Sequence, residues 1–434
     1  MTATPRSPPQ PTTILRGHTS GIQALCFHGE ELLASGSQDG FLKVWNLERR
    51  RVEVEFRAHS HGYGVQRVEC LDRDRMLSQG RDGLIKVWEM ERLARGTGEP
   101  RTREDSIPHG DSRILSTEPS RTRTTGAFHF CQFALVRWRE ASHASQKAAH
   151  GTMGAVEATS QGGGSLEEGR VGHGEAECGG DGDKETLHGP GDVGFESAPR
   201  KSEVQQGMSP FDGGRGDTSN DSFATNMLLA PCEEQHAVSM WDLRAAAPAY
   251  KFSPADPEKK GMVMCLRLLG ESSSLSHPLA FCGHDNGSLC VYDLRATSAE
   301  PLMDVRLHRE PVLCVDVGSS GKHGVSGSAG DAINVLKINV AKGSCEVSKS
   351  FKLDYPGTSC VEIRRDERIF VTGGWDHRVR IFSCKNPRPL VVLRSHDESV
   401  YTIAHSPRVG IFASGSKDCR VALWDVFSDA SRPS

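Results

Sequence analysis

Near the start of the chain, His18, Ser35, Asp39 and Trp45 include the residue types of a hydrolytic site. In such a site an aspartate orients a histidine, and the imidazole takes the hydroxyl proton while the serine attacks a carbonyl carbon. The same four types return twice at similar spacing, as His59, Ser78, Asp82 and Trp88 and as His396, Ser414, Asp418 and Trp424. Because each set recurs within its own segment, the pattern favours a repeated structural hydrogen-bond network over one catalytic triad.

These sets lie inside a repeating unit that ends in an aromatic residue or in a substitute for one. A fourth unit keeps Thr372 and Asp376 of the set. The unit ends recur roughly 40–50 residues apart, which is a period typical of blade-forming repeats. Only the step from Trp88 to Trp241 is much longer. The unit ends are Trp45, Trp88, Trp241, Tyr292, Leu336, Phe382 and Trp424.

Each unit is expected to form one four-stranded sheet. Along residues 42–47, apolar and polar side chains nearly alternate, which is the pattern of a half-buried strand. One such sheet cannot bury both of its faces alone, whereas sheets packed radially around an axis cover each other. The sequence therefore predicts an all-β fold, a seven-bladed β-propeller. An eighth blade before Trp241 stays open as an alternative.

The phase of the repeat predicts how the ring closes and where it is interrupted. The last unit is one strand short after Val426, so residues 12–16 are expected to complete the last blade. Residues 139–222 are rich in Gly, Ser, Glu and His and poor in aromatic residues, so they predict a long disordered insertion in blade three. The predicted divisions are a disordered Pro-rich N-terminus at 1–11, propeller at 12–138, the insertion at 139–222, propeller at 223–427 and a C-terminal tail at 428–434.

Composition narrows the class of partner and the compartment. Lys and Arg together number 52 and Asp and Glu 56, so no strong field attracts nucleic acid or a membrane surface, and neither is expected as a partner. The 13 cysteines include no C-x-x-C pair, which argues against a zinc ribbon and favours a reducing compartment. The sequence lacks a long apolar run and a leader pattern, so we expect a protein of the nucleus or cytoplasm. We expect it to bind neither a metal ion nor a cofactor.

A ring of variable residues is the candidate partner-binding surface. The residue just before the turn aspartate of each unit is expected to project onto the face that carries the histidine loops. Trp375 stands out because a small or polar residue is usual at a solvent-facing turn, and it is followed by His377 and Arg378, a composition typical of interface hot spots. Trp375 either contacts a partner or packs on a neighbouring blade. The ring consists of Gln38, Arg81, Asp285, Ala329, Trp375 and Lys417.

Two features resemble known proteins. The three complete four-residue sets resemble the Asp-His-Ser/Thr-Trp network of the WD-repeat family, and residues 373–382, Gly-Gly-Trp-Asp-His-Arg-Val-Arg-Ile-Phe, resemble its ASTRA-associated subfamily. This resemblance implies a non-catalytic scaffold in an ASTRA-like complex, acting in chromatin remodelling or in co-chaperone maturation of phosphatidylinositol-3-kinase-related kinases. A G-protein γ subunit is not expected as a partner, because the residues before Ile14 are few and Pro-rich and do not predict the coiled coil that such pairing needs.

Two other functions are weighed against this one. The paired motifs Trp-Asp-Leu-Arg, with Asp242 and Arg244 and with Asp293 and Arg295, resemble the boxes of substrate receptors of cullin-RING ubiquitin ligases. The alternative interpretation is that Asp and Arg commonly end this strand. A propeller enzyme would need carboxylates or histidines that converge in the central channel outside the structural network, and the sequence pattern indicates no such set.

Overall fold

The computed structural model describes residues 9–72, 75–90, 119–125, 131–135, 227–254, 256–270, 278–296, 300–408 and 410–426. All of these residues belong to one unit, formed by Met1–Glu140 together with Ser219–Ser434. The predicted insertion at 139–222, most of the predicted N-terminal segment and all of the predicted tail at 428–434 lie outside the described residues, so those divisions stay predictions. The described residues form seven antiparallel sheets of four strands each, which confirms the predicted fold class.

The first two strands of each sheet follow one another in the order of the strands and pair antiparallel. The first strands of blades one to seven are β2 (Ile22–His28), β6 (Val65–Cys70), β10 (Ala134–Leu135), β14 (Val263–Leu269), β18 (Val312–Val317), β22 (Thr358–Ile363) and β26 (Val400–His405). The second strands are β3 (Leu32–Ser37), β7 (Arg75–Gly80), β11 (Met227–Pro231), β15 (Leu279–His284), β19 (His323–Ser328), β23 (Ile369–Gly374) and β27 (Ile411–Ser416).

The third and fourth strands complete each sheet toward its outer edge. The third strands are β4 (Phe41–Asn46), β8 (Leu84–Glu89), β12 (Val238–Asp242), β16 (Ser288–Asp293), β20 (Ala332–Asn339), β24 (Val379–Ser383) and β28 (Arg420–Asp425). The fourth strands of blades one to six are β5 (Arg51–Arg57), β9 (Arg121–Thr124), β13 (Tyr250–Phe252), β17 (Met303–Arg306), β21 (Ser344–Lys352) and β25 (Arg388–Leu393). Within the described ranges, two short helices lie between strands, α1 (Pro257–Lys260) and a 3₁₀ turn (Val340–Lys342).

The ring closes through the first strand of the chain, β1 (Thr13–Arg16). This strand pairs antiparallel with β28 and so becomes the fourth strand of blade seven, next to strands from the other end of the sequence. First strands of neighbouring blades contact each other around the axis, and β26 of blade seven contacts β2 of blade one. Blade three is a single sheet even though residues 136–226 separate β10 from β11.

The apolar core is divided among the seams between blades. Among the described residues there are seven buried clusters, and each joins two consecutive blades. At the last seam, Leu15 and Leu423 of blade seven pack with Ile22 and Trp45 of blade one. Since every sheet is covered on both faces only by its neighbours, the stability of each blade depends on an intact ring.

A glycine in the second strand lets neighbouring blades approach closely. A Cβ atom on Gly36 would lie 2.5 Å from Cγ1 of Val65 in the next blade, and one on Gly415 would lie 2.7 Å from Cγ2 of Ile22. A side chain at these positions would push the first strand of the next blade outward. The recurrent Ser-Gly-Ser sequence is therefore a packing requirement of the seams.

Candidate functional site

In blade two, the Asp-His-Ser-Trp residues form a continuous hydrogen-bonded chain. The Nδ1 atom of His59 lies 3.0 Å from the Asp82 carboxylate, and its Nε2 atom lies 2.9 Å from Ser78 Oγ. The indole N–H of Trp88 donates to the same hydroxyl oxygen at 2.9 Å. Burial lowers the pKa of His59 although Asp82 opposes that shift. Blade seven repeats the chain with His396, Ser414, Asp418 and Trp424.

Blade one departs from the predicted arrangement. His18 Nε2 and the Trp45 indole both lie 2.7 Å from Ser35 Oγ, as expected. The repeated network predicts that Asp39 accepts from the imidazole of His18, and this prediction is wrong, because Asp39 accepts from the hydroxyls of Ser37 and Thr19. The buried Nδ1 atom of His18 has no hydrogen-bond partner in the described part of the chain. Burial, with help from Lys43, lowers the pKa of His18 to about 3.

Blade six replaces the histidine with an arginine. Asp376 accepts from the Arg380 guanidinium, with Nη1 3.0 Å from Oδ1, and this contact holds the pKa of Asp376 below its ordinary value against the effect of burial. Thr372 is buried at the serine position, and Phe382 stands where an indole would donate. Thr372 and Asp376 therefore stand where blade two has Ser78 and Asp82, and Arg380 takes the bond to the aspartate that a histidine makes in blade two.

In blade four, a histidine on the second strand fills the space that the loop histidine fills in blade two. No histidine stands in the loop before β14, and the serine position is Cys282. His284 ends β15 at the position of Gly80, where a Cβ atom would lie 2.3 Å from Nδ1 of His59. Its imidazole thus enters the space that the loop histidine occupies in blade two. Burial lowers the pKa of His284 to about 4.

The predicted ring residues occupy equivalent places in six blades. Each lies in the turn between the second and third strands, and its backbone N–H donates to the carbonyl of a residue just before the first strand of the same blade. These bonds measure 2.9–3.1 Å and join Gln38 to Gly21, Arg81 to Gly64, Asp285 to Met262, Ala329 to Pro311, Trp375 to Gly357 and Lys417 to Ser399. These turns and the loops between blades form one face of the ring, which we call the upper face.

Trp375 combines packing with exposure. A Cβ atom on Gly357 would lie 2.1 Å from the indole ring, so the ring lies against the glycine backbone of its own blade. The carbonyl of Trp375 accepts from Ser399 Oγ of blade seven at 3.1 Å. The side chain nevertheless stays 41% exposed. His377 is exposed beside it with a left-handed φ of 67°, and Arg378 lies 3.7 Å from the Asp376 carboxylate.

The two Trp-Asp-Leu-Arg boxes lie at the opposite ends of their strands, on the lower face. Asp242 accepts from the backbone N–H and from the guanidinium of Arg244, at 2.8 and 2.8–3.1 Å. Asp293 accepts from the backbone N–H of Arg295 at 2.9 Å. Each aspartate therefore caps the turn that follows its strand, and Arg244 is already held by its own box.

Five charged residues that the sequence pattern did not indicate converge along the axis. They stand on first strands, and four share the fifth position of β6, β14, β18 or β22. Arg67 contacts Glu69, Arg267 Nε lies 2.6 Å from Asp316 Oδ1, and the backbone N–H of His405 donates to Glu362 at 3.1 Å. The expectation that no carboxylates converge here is therefore wrong. The axial belt consists of Arg67, Glu69, Arg267, Asp316 and Glu362.

The axial belt leaves one carboxyl without an arginine bonded to it. Arg67 and Arg267 contact Glu69 and Asp316, whereas Glu362 is bonded to a backbone amide. Burial and the nearby Asp316 carboxylate raise the pKa of Glu362 to about 8. At neutral pH this carboxyl is mostly protonated, which balances the charges of the belt.

Replacing Glu362 with glutamine is expected to stabilise the fold at alkaline pH. Because the folded-state pKa lies above the ordinary value of 4.5, the stability contributed by Glu362 is lost as pH rises from about 4.5 to about 8. The glutamine cannot ionise and still accepts from His405. We expect Glu362→Gln to gain about 1–2 kcal/mol at pH 8.5, limited by solvent in the channel, and almost nothing at pH 5.

Urea denaturation at both pH values measures this difference. Glu69→Gln is the matched control, because it removes an ion pair with Arg67 and should destabilise the protein at both pH values. A gain for Glu362→Gln of the same size at pH 5 and pH 8.5 would show that the carboxyl does not titrate in this range.

The described residues form neither a metal-binding cluster nor a membrane-spanning helix. No group of three or more His, Cys, Asp and Glu side chains in the described ranges is arranged to hold a metal ion. No helix in that part of the chain is both long enough and apolar enough to cross a membrane.

Comparison with known proteins finds a known repeat in three parts of the chain. The family model described as "WD domain, G-beta repeat" matches residues 9–46, 353–383 and 387–425, which cover parts of blades one, six and seven. The mouse protein named guanine nucleotide-binding protein subunit beta-like protein 1 is 34% identical over 201 residues, which cover 46% of this chain and 60% of that protein.

Fungal proteins named ASTRA-associated protein 1 are similar over different lengths. One from Schizosaccharomyces japonicus is 30% identical over 39% of this chain and 49% of its own length, so the chain spans less than two thirds of this relative and of the mouse protein. One from Aspergillus flavus is 25% identical over 94% of this chain and 86% of its own length. The chain therefore carries repeats that match the WD domain, G-beta repeat in blades one, six and seven of a seven-bladed β-propeller.

Proposed function

We propose that this chain is a scaffold subunit of an ASTRA-like complex, and that a partner protein docks on the upper face around Trp375. The observation that carries the docking site is the 41% exposed indole of Trp375, held in a turn whose backbone is bonded on both sides. WD40 propellers are typically non-catalytic scaffolds, and the proposal gives no catalytic role to the hydrogen-bonded serines or to the axial belt.

The turn that carries Trp375 is preorganised for binding. Its N–H is bonded to Gly357 and its carbonyl to Ser399, so little backbone entropy is lost when a partner docks. The indole ring is supported from below by Gly357, which limits its rotamers. A rigid, partly exposed tryptophan beside an arginine is the kind of anchor that dominates binding energy at protein interfaces.

Trp375→Ala is expected to weaken partner binding by about tenfold or more, because an interface anchor contributes well over 1 kcal/mol. The tagged variant and wild type are compared by quantitative affinity purification, and then by titration of the recovered partner. Arg378→Ala should add a smaller loss. The matched control is Val347→Ala on β21, because Val347 is 43% exposed and lies on the outer edge of blade five.

The thermal unfolding midpoints of all three variants should stay close to wild type, which separates lost binding from lost folding. Unchanged partner recovery with Trp375→Ala would contradict the docking site. Equal losses from Trp375→Ala and Val347→Ala would indicate that exposure alone, and not this face, determines binding.

The kind of assembly is proposed from the relatives. Proteins named ASTRA-associated protein 1 match 94% of this chain in one case, and the resemblance at residues 373–382 falls on the Trp375 turn itself. We therefore propose that the complex acts in chromatin remodelling or in co-chaperone maturation of phosphatidylinositol-3-kinase-related kinases. The chain would act there in the nucleus or cytoplasm. The partners are other protein subunits, without direct contact to nucleic acid, membrane or a G-protein γ subunit. The identity of the proteins recovered with wild type tests this proposal.

A ubiquitin-ligase receptor is the less favoured alternative. The boxes of blades three and four do lie on one face in consecutive blades, and the side chain of Arg244 is 66% exposed. However, Asp242 binds Arg244 within its own box, so the motif is accounted for by turn capping. Recovery of a cullin adaptor that is lost with Arg244→Ala and Arg295→Ala, but kept with Trp375→Ala, would favour the ligase function instead.

A further inference from the structure

The seam between blades one and two brings two thiols into contact. Cys26 stands on β2, and Cys70 ends β6 of the next blade. Their Sγ atoms lie 3.6 Å apart, and the backbone N–H of Cys70 donates to Cys26 Sγ at 3.3 Å. This backbone bond holds the second cysteine in place opposite the first, so the contact is part of the packing between first strands.

The surroundings of this pair differ from those of the other close cysteines. Cys26 and Cys70 are both half-buried, and they adjoin the axial belt, with Cys26 Sγ 3.9 Å from Glu69 Oε2. Cys282 and Cys290 are also neighbours, as cross-strand partners in blade four, but both are fully buried. Burial raises the pKa of the Cys290 thiol to about 12, which suppresses the reactive thiolate.

We propose that Cys26 and Cys70 form an oxidation site, at which a small disulfide such as glutathione disulfide converts the two thiols into a disulfide bond between blades one and two. A bonded pair needs a sulfur separation of about 2.0 Å, so the atoms must approach by about 1.6 Å from their present contact. Small rotations of two side chains on adjacent strands can supply that movement. The seam itself does not have to open.

The reaction balances without any further reactant. One cysteine thiolate attacks a sulfur of glutathione disulfide, which breaks its S–S bond and releases one glutathione thiolate that takes up the proton. The second cysteine, after losing its proton, attacks the protein sulfur of the mixed disulfide and expels the second glutathione. Two protein thiols are oxidised, and one glutathione disulfide is reduced to two glutathione molecules.

The bond would connect first strands of consecutive blades, at residues 44 apart in sequence. It would therefore restrict opening of the ring at this seam and constrain the unfolded chain. We expect the oxidised protein to melt several degrees above the reduced protein. Dithiothreitol should reverse the shift.

Peptide mapping of the whole chain tests the proposal. The protein is incubated with glutathione disulfide, alkylated with iodoacetamide, digested with trypsin without reduction and examined by mass spectrometry. We expect the peptides 17–43 and 68–73, each with one cysteine, to appear as a linked pair at ten times the level of any other disulfide. Cys282 and Cys290, which fall in the single peptide 268–295, are the internal control and should remain reduced.

A variant separates pairing from simple reactivity. Cys70→Ser should leave Cys26 with a stable glutathione adduct, because no second thiol is present to expel it, and the melting shift should vanish. Alkylation of both cysteines in the wild-type protein with no linked peptide would overturn the proposal, as would equal oxidation of Cys282 with Cys290. The wild-type map decides the matter even if the variant folds poorly.

Discussion

A chain that begins at Gly17 is expected to lose cooperative folding. This truncation removes β1, whose register along β28 runs from Thr13 opposite Leu423 to Arg16 opposite Arg420. It also removes Leu15, which is 3% exposed in the cluster that joins blade seven to blade one. Several strand hydrogen bonds and the burial of one large apolar side chain together contribute about 4–6 kcal/mol, which is comparable to the total stability of many domains.

The loss should extend beyond blade seven. Without β1, the edge of β28 is unpaired, and one face of the seam that contains Ile22 and Trp45 is uncovered. Because each blade is covered only by its neighbours, opening one seam weakens both adjacent sheets. The exposed edge strand also offers a template for aggregation.

Differential scanning calorimetry and size-exclusion chromatography test this expectation. The matched control begins at Thr12, since this residue still donates from its backbone N–H to the Leu423 carbonyl at 2.8 Å. The control should melt within about 2 °C of the whole chain, whereas the shorter chain should aggregate or melt without a sharp transition. A sharp wild-type transition in the chain that begins at Gly17 would mean that the ring does not depend on β1.

The sequence could predict the ring because its determinants are local and repeated. The Ser-Gly-Ser segment, the turn aspartate and the terminal aromatic recur with a fixed period, and the unpaired segment at 12–16 matches the missing strand of blade seven. These features predict seven blades and leave only the segment before Trp241 open to an eighth. The split of blade three could also be recognised, because the unit end at Trp241 restores the repeat on the far side of residues 139–222.

The axial belt could not be predicted in the same way. Glu69, Arg267, Asp316 and Glu362 are isolated charges in different strands, separated by tens to hundreds of residues. Only closure of the ring brings Arg67 close enough to Glu362 for each to affect the pKa of the other. A usable signal did exist, since four of the charges share the fifth position of a first strand.

The histidine chains show a second limit of pattern reasoning. His18 and Asp39 have the same residue types as their counterparts in blade seven, yet Asp39 turns to Ser37 and Thr19. Thr19 offers a hydroxyl donor to the carboxylate in blade one, whereas Asp397 stands at the equivalent position of blade seven. Residue type alone therefore did not determine which donors the carboxylate would take.

Asp418→Ala is consequently expected to cost about 2–3 kcal/mol of folding free energy, and Asp39→Ala only about 0.5–1 kcal/mol. Asp418 lies 2.9 Å from His396 Nδ1, and its side chain is 4% exposed. Removing the carboxylate leaves a buried imidazole N–H without an acceptor, next to the bond between His396 and Ser414. Among the residues that the structure describes, none bonds to Nδ1 of His18, so nothing comparable is lost in blade one.

Urea denaturation of two double-mutant cycles measures the difference directly. One cycle combines Asp418→Ala with His396→Ala, and the other combines Asp39→Ala with His18→Ala. The first pair should show a coupling energy of about 1.5–2 kcal/mol and the second less than about 0.5 kcal/mol, because only contacting side chains couple strongly. Equal coupling in the two cycles would place the Asp39 carboxylate on His18 in solution, and blade one would then carry the same hydrogen-bonded chain as blade seven.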